Sequence, residues 1–194
     1  MIVALVSASY LYSCGKEEQT KKQAESPKEA APASIYQAPQ VFPALSVGKA
    51  AGKKAADFVW QQDGKQVRFS EYAKGKFVFL NFWGTWCPPC RREIPDIISI
   101  ARDMSGKDFL VIGIALERSQ IVDEAIAGVV KFWNGQGMNY PVIIGNMELA
   151  QAYGGIEAVP TTFLINEKGE IVKQITGGRS KEDFMKEINS LKKK

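Results

Sequence analysis

The chain has 194 residues, 45% of them apolar and 24% charged, with 25 Lys and Arg against 21 Asp and Glu. That length suits one ordinary domain with additional sequence, and a net charge of +4, scattered along the chain, is too weak for a nucleic-acid-binding face. There is no histidine, which removes the commonest general base and the commonest metal ligand.

Residues 2–12, IVALVSASYLY, form an apolar run. It is too short to span a bilayer comfortably and fits the core of an export signal. LYSC at 11–14 resembles a bacterial lipobox, with Leu11 three before the cysteine and small Ser13 just before it. The resemblance implies cleavage after residue 13 and a lipid on Cys14. No Lys or Arg precedes the run, and Tyr12 is bulky, so a plain export signal or an unrelated cysteine is the alternative. Residues 15–50 are rich in Lys, Glu, Gln, Ala and Pro. They lack the apolar surface that offsets ordering entropy, so 14–50 reads as a lipidated cysteine and flexible tether.

The remainder, 51–194, patterns as a domain. DFVWQQDGKQVRF at 57–69 predicts a hairpin turning at Asp63-Gly64. KFVFLNFW at 76–83 suits a strand buried on both faces. From Pro88 the spacing predicts a helix with Ile94, Ile97, Ile98, Ala101 and Met104 on one side. DFLVIGIAL at 108–116 predicts a second buried strand, and Val122, Ala125, Ile126, Val129, Val130 and Trp133 recur at helical spacing. YPVII at 140–144 predicts a short strand, and MELAQAYG at 147–154 a short helix closed by glycine. TTFLIN and EIVKQIT, at 161–166 and 170–176, predict another hairpin. Ser180 with Asp183 predicts a capping box for a last helix carrying Phe184, Met185, Ile188 and Leu191 on one face. Strands that alternate with helices and end β-β-α imply an α/β sandwich around a mixed sheet.

Cys87 and Cys90 stand where a buried strand meets a helix. A lone C-x-x-C supplies two of the four ligands of a structural zinc. The residue after Cys90 is Arg91, which excludes the C-x-x-C-H of a haem attachment. Inert buried thiols and a redox dithiol remain. A helix N-terminus favours a thiolate, so Cys87 is expected to be exposed and to attack, with Cys90 shielded and resolving. No cofactor and no metal are expected.

The flanks carry a resemblance. VFLNFWGTWCPPCRREIP resembles the thioredoxin superfamily, and within it the membrane-tethered, extracytoplasmic ResA, TlpA and CcmG type of thiol–disulfide oxidoreductase; the similarity spans about 51 to 194. The resemblance implies a three-layer thioredoxin-like sandwich with an N-terminal β-hairpin and a strand-helix insertion around 108–133. VPTTFLIN at 159–166 is similar to the family's cis-proline loop. By that likeness Pro160 lies beside the cysteines, Val159 offers main-chain groups to a substrate, and Gly177, Pro88 and Trp86 face the same groove, with Trp83 shielding. Pro95 occupies the position of the family's helix-kinking proline.

Thioredoxins that resemble this chain carry an acid on the strand before the cysteines; here that position is Asn81. The expected counterpart is Glu93, which shares a helical face with Cys90 and which the ResA type also carries. In an apolar pocket its pKa rises, so it can exchange protons with the dithiol near neutral pH. An exposed Glu93 paired with Arg91 or Arg92 is the alternative. Pro88 and Pro89 suit a first helical turn and delete two N–H donors that would stabilise a Cys87 thiolate, so the pair is expected to be reducing. The resemblance implies reduction of protein disulfides, apocytochrome c among the clients, a membrane thiol transporter as electron donor, a lipid anchor and a monomer. A general periplasmic reductase or isomerase partner, and a non-catalytic binding lipoprotein, are the alternatives.

Overall fold

The computed structural model describes residues 38–192. Its elements are β1 (Val41–Val47), β2 (Phe58–Gln62), β3 (Lys65–Arg68), α1 (Phe69–Tyr72), β4 (Phe77–Trp83), α2 (Pro88–Asp103), β5 (Phe109–Ala115), α3 (Val122–Gln136), β6 (Val142–Ile144), α4 (Met147–Ala152), β7 (Thr161–Ile165), β8 (Ile171–Thr176) and α5 (Lys181–Lys192). The strands form one eight-stranded sheet in the order β3-β2-β1-β6-β5-β4-β7-β8. Strands β1, β6, β5 and β4 are mutually parallel. The remaining neighbours are antiparallel, so the sheet is mixed, as the α/β pattern predicts.

Strand β4 shows why the sheet is covered on both faces. Phe77, Phe79 and Trp83 join one buried cluster with side chains of α2, α3 and α5. Val78, Leu80 and Phe82 join a second with Phe69 of α1 and Leu149 of α4. A strand alternates its side chains, and a strand buried on both faces reads as continuous hydrophobicity. Three layers result. Asn81 is the polar exception on the α2 side.

Local chemistry explains the turns and ends. Asp63 and Gly64 both have positive φ, 50° and 74°, the geometry that a two-residue hairpin demands and that Asp-Gly tolerates. Helix α2 has proline in its first turn and runs on through Pro95. In α5, Ser180 Oγ accepts from Asp183 N at 3.2 Å, the expected capping contact, and Phe184 meets Phe79 edge-on at 4.9 Å.

Two elements escape the sequence. Strand β1 lies within the 14–50 stretch assigned to a tether, yet pairs with β2 and β6 inside the sheet. The folded part therefore begins before residue 51. Helix α1 is a single turn with Phe69 buried. Val122, expected on the buried face of its helix, is 49% exposed, because it is the first residue of α3 and projects beyond the core.

Candidate active site

Cys87 is the N-cap of α2, and its Sγ accepts from Cys90 N at 3.2 Å. Pro88 and Pro89 between them have no N–H to offer, so this is the one first-turn donor recorded on that sulfur. Cys87 and Cys90 are joined as a disulfide, with Cα atoms 5.3 Å apart. The expected contrast in exposure is absent. Cys87 is 2% exposed and Cys90 0%. The loop before β7 covers Cys87: the Val159 carbonyl oxygen lies 3.6 Å from its Sγ.

The Val159–Pro160 peptide is cis. Gly177 N donates to the Pro160 carbonyl at 2.8 Å, with Gly177 at φ 84°, a region where a side chain is disfavoured. The structure therefore brings Cys87, Cys90, Val159, Pro160 and Gly177 together. Pro88 and Trp86 are exposed beside the pair, whereas Trp83 is fully buried against Phe132, ring centroids 5.3 Å apart. Cys14 lies outside the described residues.

Glu93 is 3% exposed. Its Oε1 accepts from Asn81 Nδ2 at 3.0 Å, and its Oε2 from Arg179 N at 3.3 Å. Asn81 Nδ2 also donates to Thr162 Oγ1 at 3.0 Å. The position that lacks an acid is thus wired to the acid one turn beyond Cys90, and no ion pair with Arg91 or Arg92 forms. Burial pushes the Glu93 pKa from 4.5 up to about 7, Asp96 adds to the rise, and the Asn81 and Arg179 hydrogen bonds with the Arg179 charge hold it back. A shallow cleft of about 410 Å³, lined by Pro89, Arg92, Glu93, Gly178, Arg179, Ser180 and Asp183, opens beside the carboxyl.

Two further residues shape the rim and were not singled out by the sequence. Glu117 accepts from Thr85 N at 2.8 Å and from Thr85 Oγ1 at 2.7 Å. The Arg118 guanidinium lies over the Trp86 ring at 4.6 Å, while Trp86 Nε1 donates to the Leu116 carbonyl at 2.9 Å. The signal was topological: loops that follow adjacent parallel strands meet at the same sheet edge. Among the described residues no group of Cys, Asp and Glu is placed to hold a metal ion, and no helix is long and apolar enough to cross a membrane.

A dithiol at the mouth of a helix, beneath a cis-proline loop and beside a buried carboxyl on a mixed sheet, defines a thiol–disulfide oxidoreductase of thioredoxin fold. The Redoxin family model matches residues 50–193, and the chain belongs to that family. It is 36% identical over 146 residues to the thiol-disulfide oxidoreductase ResA of Geobacillus thermodenitrificans, covering 74% of this chain and 79% of the relative. The crystal structure of a thioredoxin-family thiol:disulfide interchange protein from Chlorobium tepidum superposes with a TM-score of 0.60 at 36% identity, over 72% of this chain and 95% of that one. The exposed lipoprotein thioredoxin Etrx1 of Streptococcus pneumoniae superposes with a TM-score of 0.58 at 30% identity, over 70% and 99%. The chain is an enzyme of the ResA, TlpA and CcmG type.

Proposed function

We propose that this enzyme works outside the cytoplasm, tethered by a lipid on Cys14, as a monomeric reductase of protein disulfides, with apocytochrome c before haem attachment as a client. The observation that carries the reading is the Cys87 sulfur at the N-terminus of α2, bonded to Cys90 and covered by Val159. The similarity to a ResA oxidoreductase and to an exposed lipoprotein thioredoxin supports the activity class and the location.

In the reduced enzyme the Cys87 thiolate attacks one sulfur of the client disulfide. That S–S bond breaks, a mixed disulfide forms, and the client's second sulfur leaves as a thiolate that takes up a proton. Cys90 then loses its proton to Glu93 and attacks the Cys87 sulfur. The mixed disulfide breaks, Cys87–Cys90 closes, and the client leaves with its second thiolate, which takes the proton from Glu93. Two electrons have passed from the enzyme to the client, together with one proton from Cys90 relayed by Glu93 and one from the solvent that took up the Cys87 proton when that thiol ionised. A carboxyl held at about 7 by burial is matched to this exchange near neutral pH. Val159 and Pro160 receive the client main chain, with Gly177, Pro88 and Trp86 around the same groove. A membrane thiol transporter returns the two electrons.

Withholding two N–H donors from the Cys87 sulfur keeps the pair reducing. A redox titration is expected to place the couple nearer thioredoxin, at about −270 mV, than above about −150 mV, where strong oxidants lie. A Cys90→Ser variant expressed in the native organism is expected to accumulate mixed disulfides with its clients. Absence of any trapped client, or a potential above that bound, overturns the reductase assignment.

A further inference from the structure

Three buried side-chain atoms meet no hydrogen-bond partner among the described residues: Asn81 Oδ1, Trp83 Nε1 and Tyr140 Oη. Their residues are 1%, 0% and 3% exposed. They converge over one glycine. Gly113 of β5 lies between Asn81 on β4 and Val142 on β6. A Cβ at Gly113 would stand 2.8 Å from Trp83 Nε1, 3.3 Å from Val142 Cγ2 and 3.4 Å from Tyr140 Cε2, and the Tyr140 hydroxyl oxygen is bonded to the ring carbon next to Cε2. Glycine is what lets the indole and phenol edges close over the strand here. Asn81 stands on the same face of β4 as Trp83, two residues before it. Its Nδ2 turns toward Glu93 and toward Thr162 on β7, which leaves Oδ1 on the side of β5 and Gly113.

Asn81 Oδ1 only accepts and Trp83 Nε1 only donates. No direct hydrogen bond joins any two of the three atoms. A group that both donates and accepts serves all of them, and a buried water makes about three hydrogen bonds to polar atoms left over in this way. We propose that Asn81, Trp83 and Tyr140 hold one internal water, and that through it Trp83 and Tyr140 are positioning residues that fix which way the Asn81 amide faces Glu93. The water accepts from Trp83 Nε1 and from Tyr140 Oη and donates to Asn81 Oδ1. Both of its acceptor positions are then filled. The amide meets it only with the oxygen, and Nδ2 stays on the Glu93 carboxylate. Burial, and after it the Glu93 charge, push the Tyr140 hydroxyl pKa up, so the phenol keeps the proton it donates. Without that hydroxyl the water has an acceptor position to spare. The amide is then free to turn over and set Oδ1 against Glu93, an arrangement that favours the protonated carboxyl.

The inference rests on the part proposed above for Glu93 in the exchange with Cys90, but its test needs no turnover. The other groups that act on Glu93 are Asp96 on its own helix, Arg179 before α5, and Arg92 and Asp183 in the cleft beside it; none of them is altered. Full-length enzyme is kept with Cys87–Cys90 closed, so that neither thiol titrates, and is labelled with carbon-13 at its glutamate carboxyls. The Glu93 signal is identified by its loss in Glu93→Gln and followed by NMR from about pH 5 to about pH 9. Wild type is expected to titrate near 7. Tyr140→Phe removes one oxygen and is expected to raise the midpoint by about half a unit to one unit, the worth of one hydrogen bond. Gly113→Ala, whose methyl pushes Trp83 Nε1 from its place, is expected to raise it as well. Val142→Ala loosens the same packing without touching a polar atom; it is expected to lower the urea midpoint and leave the titration near 7. In wild type the Trp83 indole proton is expected to show a cross-peak to a long-lived water. A Tyr140→Phe midpoint that stays put or falls overturns the inference, as does an equal shift in Val142→Ala, or a Trp83 proton with no water contact. If the titration moves and the pH–rate profile of disulfide reduction does not, the hold on the amide stands and the part given to Glu93 in the reaction is refuted.

Discussion

Asn81 Nδ2 donates to Glu93 Oε1 across 3.0 Å, joining the middle of β4 to the second turn of α2 in the buried layer between them. The bond ties the one polar residue of the strand to a carboxyl whose pKa burial has raised from 4.5 to about 7. Between these two values the folded chain holds a proton on Glu93 that the unfolded chain has released. Stability is therefore greatest on the acid side, falls as pH rises through this window, and levels off above pH 7; the shift corresponds to about 3 kcal/mol. Glu93→Gln carries no titrating group. Urea midpoints of wild type and variant, compared from pH 4.5 to 8, are expected to diverge with rising pH in the variant's favour. The pH–rate profile of the variant is expected to lose its inflection near 7, and parallel curves would sink both expectations.

Asn81→Asp places a second carboxyl against the first. It removes the donor that serves Glu93 and Thr162, and two buried carboxylates at hydrogen-bond distance do not both ionise. They titrate as a pair sharing one proton. Stability at pH 8 is expected to drop by about 3 kcal/mol or more, with part of the loss recovered at pH 5, where the pair holds protons. Chemical denaturation at both pH values measures this, and a loss independent of pH would count against the coupling.

The part of this site legible in the sequence is the part carried by local pattern. Cys87 and Cys90 at a strand–helix junction, prolines in the first turn, and Glu93 one turn beyond Cys90 all lie within a few residues of each other. VPTTFLIN marked the covering loop by resemblance. The partners of these residues were hidden because the fold supplies them. The cover over Cys87 comes from Val159, 72 positions away, and the partner of Thr85 from Glu117, 32 positions away. An exposed Cys87 was the natural expectation for a helix N-cap, and the cis-proline loop overrides it.

Gly84→Ala tests the positioning of Trp86. A methyl at residue 84 would stand 2.6 Å from Trp86 Nε1 and 3.1 Å from the Leu116 carbonyl oxygen. The indole has to leave the carbonyl that now accepts its proton, and overpacking of this kind costs about 1–3 kcal/mol. Tryptophan fluorescence is expected to shift to the red as the ring moves into water. An unshifted spectrum would mean that the rim does not hold the ring.

Glu117→Ala leaves Thr85 N–H and Oγ–H without their carboxylate. Hydrogen bonds to a charged group contribute about 1.5–3 kcal/mol each when buried and less at a partly exposed rim, so a loss of about 1–2 kcal/mol is expected in thermal unfolding. The stretch from Thr85 to Cys87 then loosens. The enzyme is expected to react more slowly with protein disulfides than with cystine, and an unchanged ratio of the two rates would remove Glu117 from a positioning role.

Strand β1 separates two accounts of where the folded part begins. Its sequence, VFPALSV, contains Pro43 and ends a stretch poor in large apolar residues, so no local pattern announced it. The strand forms because β2 and β6 complete it from either side, with a register shift between Ala44 and Ser46. It buries Val41, and Phe42, Ala44 and Val47 pack against the core. Removing it withdraws several apolar side chains at about 1–3 kcal/mol each, against a total stability of about 5–15 kcal/mol for a domain. It also strips β6 of one neighbour and separates the β2–β3 hairpin from the rest of the sheet. A chain shortened to begin at residue 38 is expected to unfold in one cooperative urea transition. A chain begun at residue 51 is expected to lose that transition and to aggregate through the bared edges. Cooperative unfolding of the shorter chain, at an unchanged midpoint, would return β1 to the tether.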